Sequence, residues 1–319
     1  MLFRSASGSL PEIRATRRAP ASATSSIAGT SVVVWESSGE DGSGDGVYAQ
    51  LYDRFGVASG AAFRVNSYTT GNQNAAAVAM DAYGNFVVAW QSAGQDGNGD
   101  GIYARRYNLS GASLGNEFRV NVATSGNQRS PALAMTGTGE FILAWHSSTG
   151  DGSSDGVYAR RYSAAGAALA GEFRVNQFTT GSQQAASVAV NASGTFLVAW
   201  QSAGQDGNGD AVVARAYNSA GAALGSEFLV NQSTAGNQNE AAVAALSTGN
   251  FVVAWRGAAQ DGSGDGVRAR LIAAAGAATG AEFAVNAATA GNQNGVSLAA
   301  DAQGNFIAAW QSEIGRAHV

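Results

Sequence analysis

Cysteine is absent from the 319-residue chain, which excludes disulfides, thiolate metal sites and a cysteine nucleophile. Lysine is absent too, so all 18 basic side chains are arginines. Only two histidines occur, and of these only His146 falls in the patterned part of the chain. No apolar run is long enough for a membrane-spanning helix. Charged residues make up 13% of the sequence with a net charge of −5. No basic stripe interleaved with aromatics appears, and this argues against a nucleic-acid partner.

What the chain has in abundance is glycine, 43 residues of it, and a strict repeat. Its six tryptophans, Trp35, Trp90, Trp145, Trp200, Trp255 and Trp310, each follow the last by 55 residues. Asn66, Asn121, Asn176, Asn231 and Asn286 keep the same step. A fixed period of this size means one supersecondary unit burying its faces against copies of itself.

Each unit offers four strand-like runs. In the second unit they are Ala75–Met80, small; Phe86–Trp90, apolar on both faces; Ile102–Tyr107, mixed; and Glu117–Asn121, alternating. A strand apolar on both faces must be covered on both, whereas an alternating strand can leave one face wet. Tiny residues suit a crowded axis, and charged ones suit a rim. The pattern predicts an all-β fold: a β-propeller of four-stranded blades, about five to six of them, with an open β-array or solenoid as the alternative.

The repeats are similar to tandem FVVxWQS…DGxGxGVYAQRY…EFxVN repeats of large secreted or surface proteins of bacteria. The likeness covers residues 31 to 312. It implies a secreted or cell-surface setting and a repeat domain over 31–312. Residues 1–30 do not fit the pattern and read as a leader or a miscalled start. Residues 313–319, Glu-Ile-Gly-Arg-Ala-His-Val, resemble a translated sequencing adapter. The chain then reads as a piece of a longer array.

The most specific motif is the loop between the second and third runs. Asp96-Gly-Asn98-Gly-Asp100-Gly matches the first half of an EF-hand loop, in which alternate oxygens turn inward and the sixth-place glycine permits a sharp turn. Its sisters supply Asp41, Ser43 and Asp45; Asp151, Ser153 and Asp155; Asp206, Asn208 and Asp210; and Asp261, Ser263 and Asp265. These are the candidate Ca²⁺ ligands. The twelfth place is Tyr107 rather than the bidentate Glu, and the fourth loop has Ala211 in place of Gly. Similar DxDGxG loops of integrin-like propellers bind Ca²⁺ without that Glu. The competing reading is that Asp, Asn and Gly simply make tight solvated turns.

A second recurring loop, Thr70-Gly71-Asn72-Gln73, could line up amides for a sugar or satisfy buried backbone. The tryptophans read as filling between blades rather than as a stacking platform. No catalytic constellation stands out, and His146 reads as a tolerated variant of Gln91 and Gln201. Near-equivalent repeats point to a non-enzymatic structural or adhesive module, engaging protein or carbohydrate at a cell surface. A lectin-like carbohydrate-binding propeller is the alternative. A propeller hydrolase or lyase comes third, and a symmetry-breaking cluster at a blade mouth would favour it.

Overall fold

A computed structural model gives the structure of residues 18–313. Strands of the first blade are β1 (Arg18–Thr24), β2 (Ser31–Ser38), β3 (Asp45–Tyr52) and β4 (Ala58–Arg64). The second has β5 (Gln73–Met80), β6 (Phe86–Ala93), β7 (Asp100–Tyr107) and β8 (Phe118–Arg119). The third comprises β9 (Gln128–Met135), β10 (Phe141–Ser147), β11 (Gly156–Tyr162) and β12 (Phe173–Arg174). In the fourth are β13 (Gln183–Val190), β14 (Phe196–Ala203), β15 (Asp210–Tyr217) and β16 (Phe228–Leu229). The fifth contains β17 (Gln238–Ala245), β18 (Phe251–Gly257), β19 (Gly266–Ile272) and β20 (Phe283–Ala284). A sixth, two-stranded sheet is β21 (Gln293–Ala300) and β22 (Phe306–Ser312).

Each sheet is an antiparallel meander in chain order. The inner strands pack in series, β1 on β5, β5 on β9, and onward to β21. This is a β-propeller. Among the described residues β21 and β1 do not pack together as successive inner strands do. The far side of β22 is open, with Ile307 73% exposed.

The two-faced second strand makes the core. In β6, Phe86, Val88 and Trp90 meet Val32, Val34, Val47 and Ala49 of the preceding blade. Val87 and Ala89 turn the other way, onto Phe141, Leu143 and Trp145 of the following one. Trp90, Trp145, Trp200 and Trp255 are buried between blades, at most 1% exposed. Polar ties reinforce the seam. The Tyr107 hydroxyl donates to the Val65 carbonyl at 3.1 Å, and burial pushes that phenol up to about 12.

Two sequence expectations change. The repeat domain begins before residue 31: Arg18–Thr24 pairs with β2, and Ala21 and Ala23 pack on the first core. Its residues are small, as an inner strand needs, but Pro20 and Arg18 disguise them. The proposed leader or miscalled start therefore covers at most residues 1–17, which lie outside the described residues, as do 314–319 of the proposed adapter segment. The fourth strand is also shorter than Glu117–Asn121. Only Phe118 and Arg119 pair with β7: Glu117 turns its carboxylate to the Ser67 N–H of the preceding blade, and Asn121 meets β7 through its side chain, whose Oδ1 accepts the Ile102 N–H.

Candidate functional site

The loops that carry the DxDG-like motif are turns tied down by their neighbours. Asp96 Oδ1 accepts the Asn98 backbone N–H at 3.1 Å, an Asx turn. Its Oδ2 accepts the Asn121 amide at 3.1 Å. Asn121 Oδ1 in turn accepts the Ile102 N–H at 2.8 Å, and its amide also reaches Ala123 O and Gln128 Oε1. The same set recurs around Asp41 with Asn66, Asp151 with Asn176, Asp206 with Asn231, and Asp261 with Asn286. That is why the asparagines keep the 55-residue step.

The third-place residues Ser43, Asn98, Ser153, Asn208 and Ser263 are exposed. The second carboxylate of a loop takes different partners from the first: Asp100 Oδ2 meets Gln91 Nε2 at 3.1 Å and Arg129 Nε at 2.8 Å. Among the described residues no three Asp, Glu, His or Cys side chains gather as an ion site. The sixth-place glycine is not needed for its φ. Positive φ falls on Gly97 and Gly99 instead, and Ala211 is accommodated fully buried in the fourth loop. Gly99 is required sterically as well, since a Cβ there would stand 2.6 Å from Asn127 Oδ1.

The glutamines of the second loop face inward, not toward a ligand. Gln73, Gln183, Gln238 and Gln293 are fully buried. Gln73 accepts from Asn66 and donates to the Thr70 and Gly71 carbonyls.

The end of the blades where the inner strands begin holds a different kind of cluster. Directly after the six tryptophans the sequence reads Glu36, Gln91, His146, Gln201, Arg256 and Gln311. These side chains surround the start of the inner strands, where each strand bulges. The bulge residues Ala75, Ser130, Ala185 and Glu240 all have φ near +50°. Such a φ is uncommon outside glycine, and Gly295 takes the equivalent place in β21. The bulge turns these residues out of the ladder.

Four of the five bulge residues are small, and one is a glutamate. Glu240 Oε2 accepts the Gly295 N–H at 2.7 Å, and its Oε1 lies 3.3 Å from the Arg256 guanidinium. Arg256 also bonds Asn239 Oδ1 at 2.8 Å and faces Asp265 at 3.5 Å. At the other end of the array, Glu36, 8% exposed, accepts the Ala75 N–H at 2.6 Å. Between them lie the Arg129–Asp100 pair, the Gln201–Asp210 hydrogen bond at 2.8 Å, and His146. Burial holds the His146 imidazole below the ordinary histidine value, partly opposed by Asp155. Its Nδ1 is buried without a partner.

Sequence reasoning missed Glu36 and Glu240. The signal was there, in the two 55-step columns that read Glu, Gln, His, Gln, Arg, Gln and Ala, Ser, Ala, Glu, Gly. Only the fold brings those columns to one axial end.

No protein-family profile matches the chain, and no curated protein does. Solved structures do. A protein of unknown function from Dyadobacter fermentans shares the fold at a TM-score of 0.65 and 11% identity, covering 93% of this chain and 90% of its own. An α-L-arabinofuranosidase from Fusarium graminearum, solved with an iminosugar inhibitor, matches at 0.59 and 11%, covering 89% and 84%. A polysaccharide lyase, Uly1, matches at 0.51 and 9%, covering 87% and 74%. These neighbours contradict the expectation of a non-enzymatic module drawn from the near-equivalence of the repeats. The same blade architecture carries glycan chemistry in the arabinofuranosidase and the lyase, and the non-equivalent side chains here collect at one axial end. At such identities the likeness establishes the fold: this chain is similar to carbohydrate-active propellers in architecture.

Proposed function

We propose that the protein is a carbohydrate-active enzyme that cleaves glycosidic bonds at the axial polar cluster. Glu240 carries this reading. It is the one carboxylate placed on the inner-strand bulges, where the sister blades have Ala75, Ser130, Ala185 and Gly295. Any residue with a Cβ is strained in this φ region, so the bulge by itself favours glycine and does not call for a carboxylate.

Glycosidic hydrolysis needs two carboxyl groups flanking the scissile bond, one to protonate the leaving oxygen and one to attack or to activate water. Glu240, paired with Arg256, is assigned as the anionic carboxylate, and Asp265, which faces the same guanidinium at 3.5 Å, as the second carboxyl. Gln91, Gln201, Arg129 and His146 supply donors and acceptors for sugar hydroxyls. The arginines are already matched by Asp100, Asp265 and Glu240, which suits a neutral glycan better than an anionic one. The arabinofuranosidase likeness makes arabinose-containing oligosaccharides the first substrates to try. A secreted or cell-surface location suits an enzyme whose substrate is a polysaccharide.

The test is reducing-sugar release from a panel of neutral oligosaccharides. Glu240→Gln should lower turnover by about 100-fold or more, with the melting temperature unchanged. Full activity in that variant, or a folded wild type inert on the whole panel, would overturn the assignment.

A further inference from the structure

The third blade departs from its sisters at a second place, away from the axial carboxylates. In the second and fourth blades a glutamine follows the loop glycine, and its amide donates to a glutamate from the start of the fourth strand: Gln95 to Glu117 at 2.7 Å, and Gln205 to Glu227 at 2.8 Å. In the fifth blade Arg268 plays that part toward Glu282 at 3.2 Å. Each of these carboxylates also latches the preceding blade by accepting backbone N–H groups. Each of these three latches therefore has a side-chain donor from its own blade.

The third blade breaks this rule. Glu172 accepts the Val122 and Ala123 N–H groups at 2.6 and 3.0 Å, but no side chain among the described residues donates to it. Where its glutamine should be stands Gly150. The space is not filled by collapse. A cavity of about 160 Å³ remains, bordered by Glu172, Trp145, Tyr158, Gln128 and Thr149. Thr149 and Gly150 also border a more open basin over Ser153 and Ser154. A Cβ on Gly150 would stand 2.5 Å from the Tyr158 hydroxyl, so glycine keeps the cavity open and the phenol in place. In the sister blades the indoles of Trp90 and Trp200 are sealed in. Trp145 borders the cavity instead, and its indole nitrogen is not sealed in without a partner as theirs are.

The cavity is thus the negative image of a glutamine side chain. A carboxylate lacks the amide donor that Gln95 and Gln205 supply in the sister blades, and the rings of Trp145 and Tyr158 wall the space where the stem would lie. We propose that the third blade binds a small amide group supplied by a ligand, seated between Glu172 and Trp145. Two sources present this chemistry: the terminal carboxamide of a glutamine-like side chain, and the acetamido group of an N-acetylated sugar. A cavity of this size holds the amide tip, and the outer basin admits the remainder. The site is independent of the axial carboxylates, so either reading can fail alone.

Ligand-observed saturation-transfer NMR on the full chain tests it, with propionamide and N-acetylglucosamine as probes and glucose as the amide-free control. Binding of at least one amide probe in the millimolar range, with no binding of glucose, is expected. Which probe binds identifies the source. Exchanging the loop for its second-blade sequence, Ser148→Ala with Thr149→Gly and Gly150→Gln, should fill the cavity and weaken binding about ten-fold or more. Glu172→Gln, which leaves the loop alone, should do the same should the exchanged loop misfold. Neither probe binding at ~100 mM, far above typical fragment affinities, would overturn the proposal. So would glucose binding as well as the amides, or both variants binding like wild type.

Discussion

Asn121 illustrates how much a single repeated side chain does here. It is 2% exposed and bonds four groups: Ile102 N–H, Asp96, the Ala123 carbonyl and Gln128. Asn121→Ala leaves several of them buried without partners, at about 1–3 kcal/mol each where water cannot enter. A loss of roughly 2–4 kcal/mol in urea unfolding is expected, against less than about 1 kcal/mol for an exposed third-place residue such as Asn98→Ala. His146 gives a pH prediction. Its folded value is depressed by burial below the ordinary 6.5, so the unfolded chain binds the proton more readily. Stability should be fully present above about pH 6.5 and decline as pH falls through the depressed folded value. His146→Gln, which restores the residue of the second and fourth blades, should flatten that limb of the pH–stability curve. An unchanged acid limb would show that the imidazole is not buried neutral.

Among elements, the second strand of each blade was the most legible in sequence. Phe86–Trp90 is apolar on both faces, and the structure covers both, so Trp200→Ala should cost about 3–5 kcal/mol through the cavity it opens between blades. A loss below about 1 kcal/mol would contradict the packing of Trp200 between the third and fourth blades. The first strand of the first blade was hidden, because Arg18 and Pro20 mask its small residues and pairing with β2 is long-range information. The loops were legible as turns but not in detail. Spacing alone cannot tell whether two carboxylates converge, and here Asp96 and Asp100 take separate partners. For Ca²⁺ to bind such a loop, Asp100 must leave Gln91 and Arg129. We therefore propose that any calcium affinity at these loops is no tighter than ~10⁻³ M, the weak limit for extracellular modules. Titration calorimetry finding binding at tens of micromolar would contradict this.

At the scale of the whole molecule, repetition and function pull apart. Blades repeat because each must bury the next, so the periodic residues report packing. The chemistry collects where periodicity fails, at Glu36, His146, Glu240 and Arg256 on the axis and at Gly150 in the third blade. Reading the repeats for what they share makes the chain look inert; reading them for what they do not share leads to the axial site. The most direct test uses His146, which lies within that cluster, as a reporter. With histidine side chains labelled for NMR, a neutral arabinose-containing oligosaccharide is titrated into the Glu240→Gln protein, which should bind but not cleave. The account predicts that the His146 imidazole resonances move on saturable binding while wild type cleaves the same oligosaccharide. Binding or cleavage that leaves His146 unmoved would place the chemistry elsewhere and contradict the axial assignment.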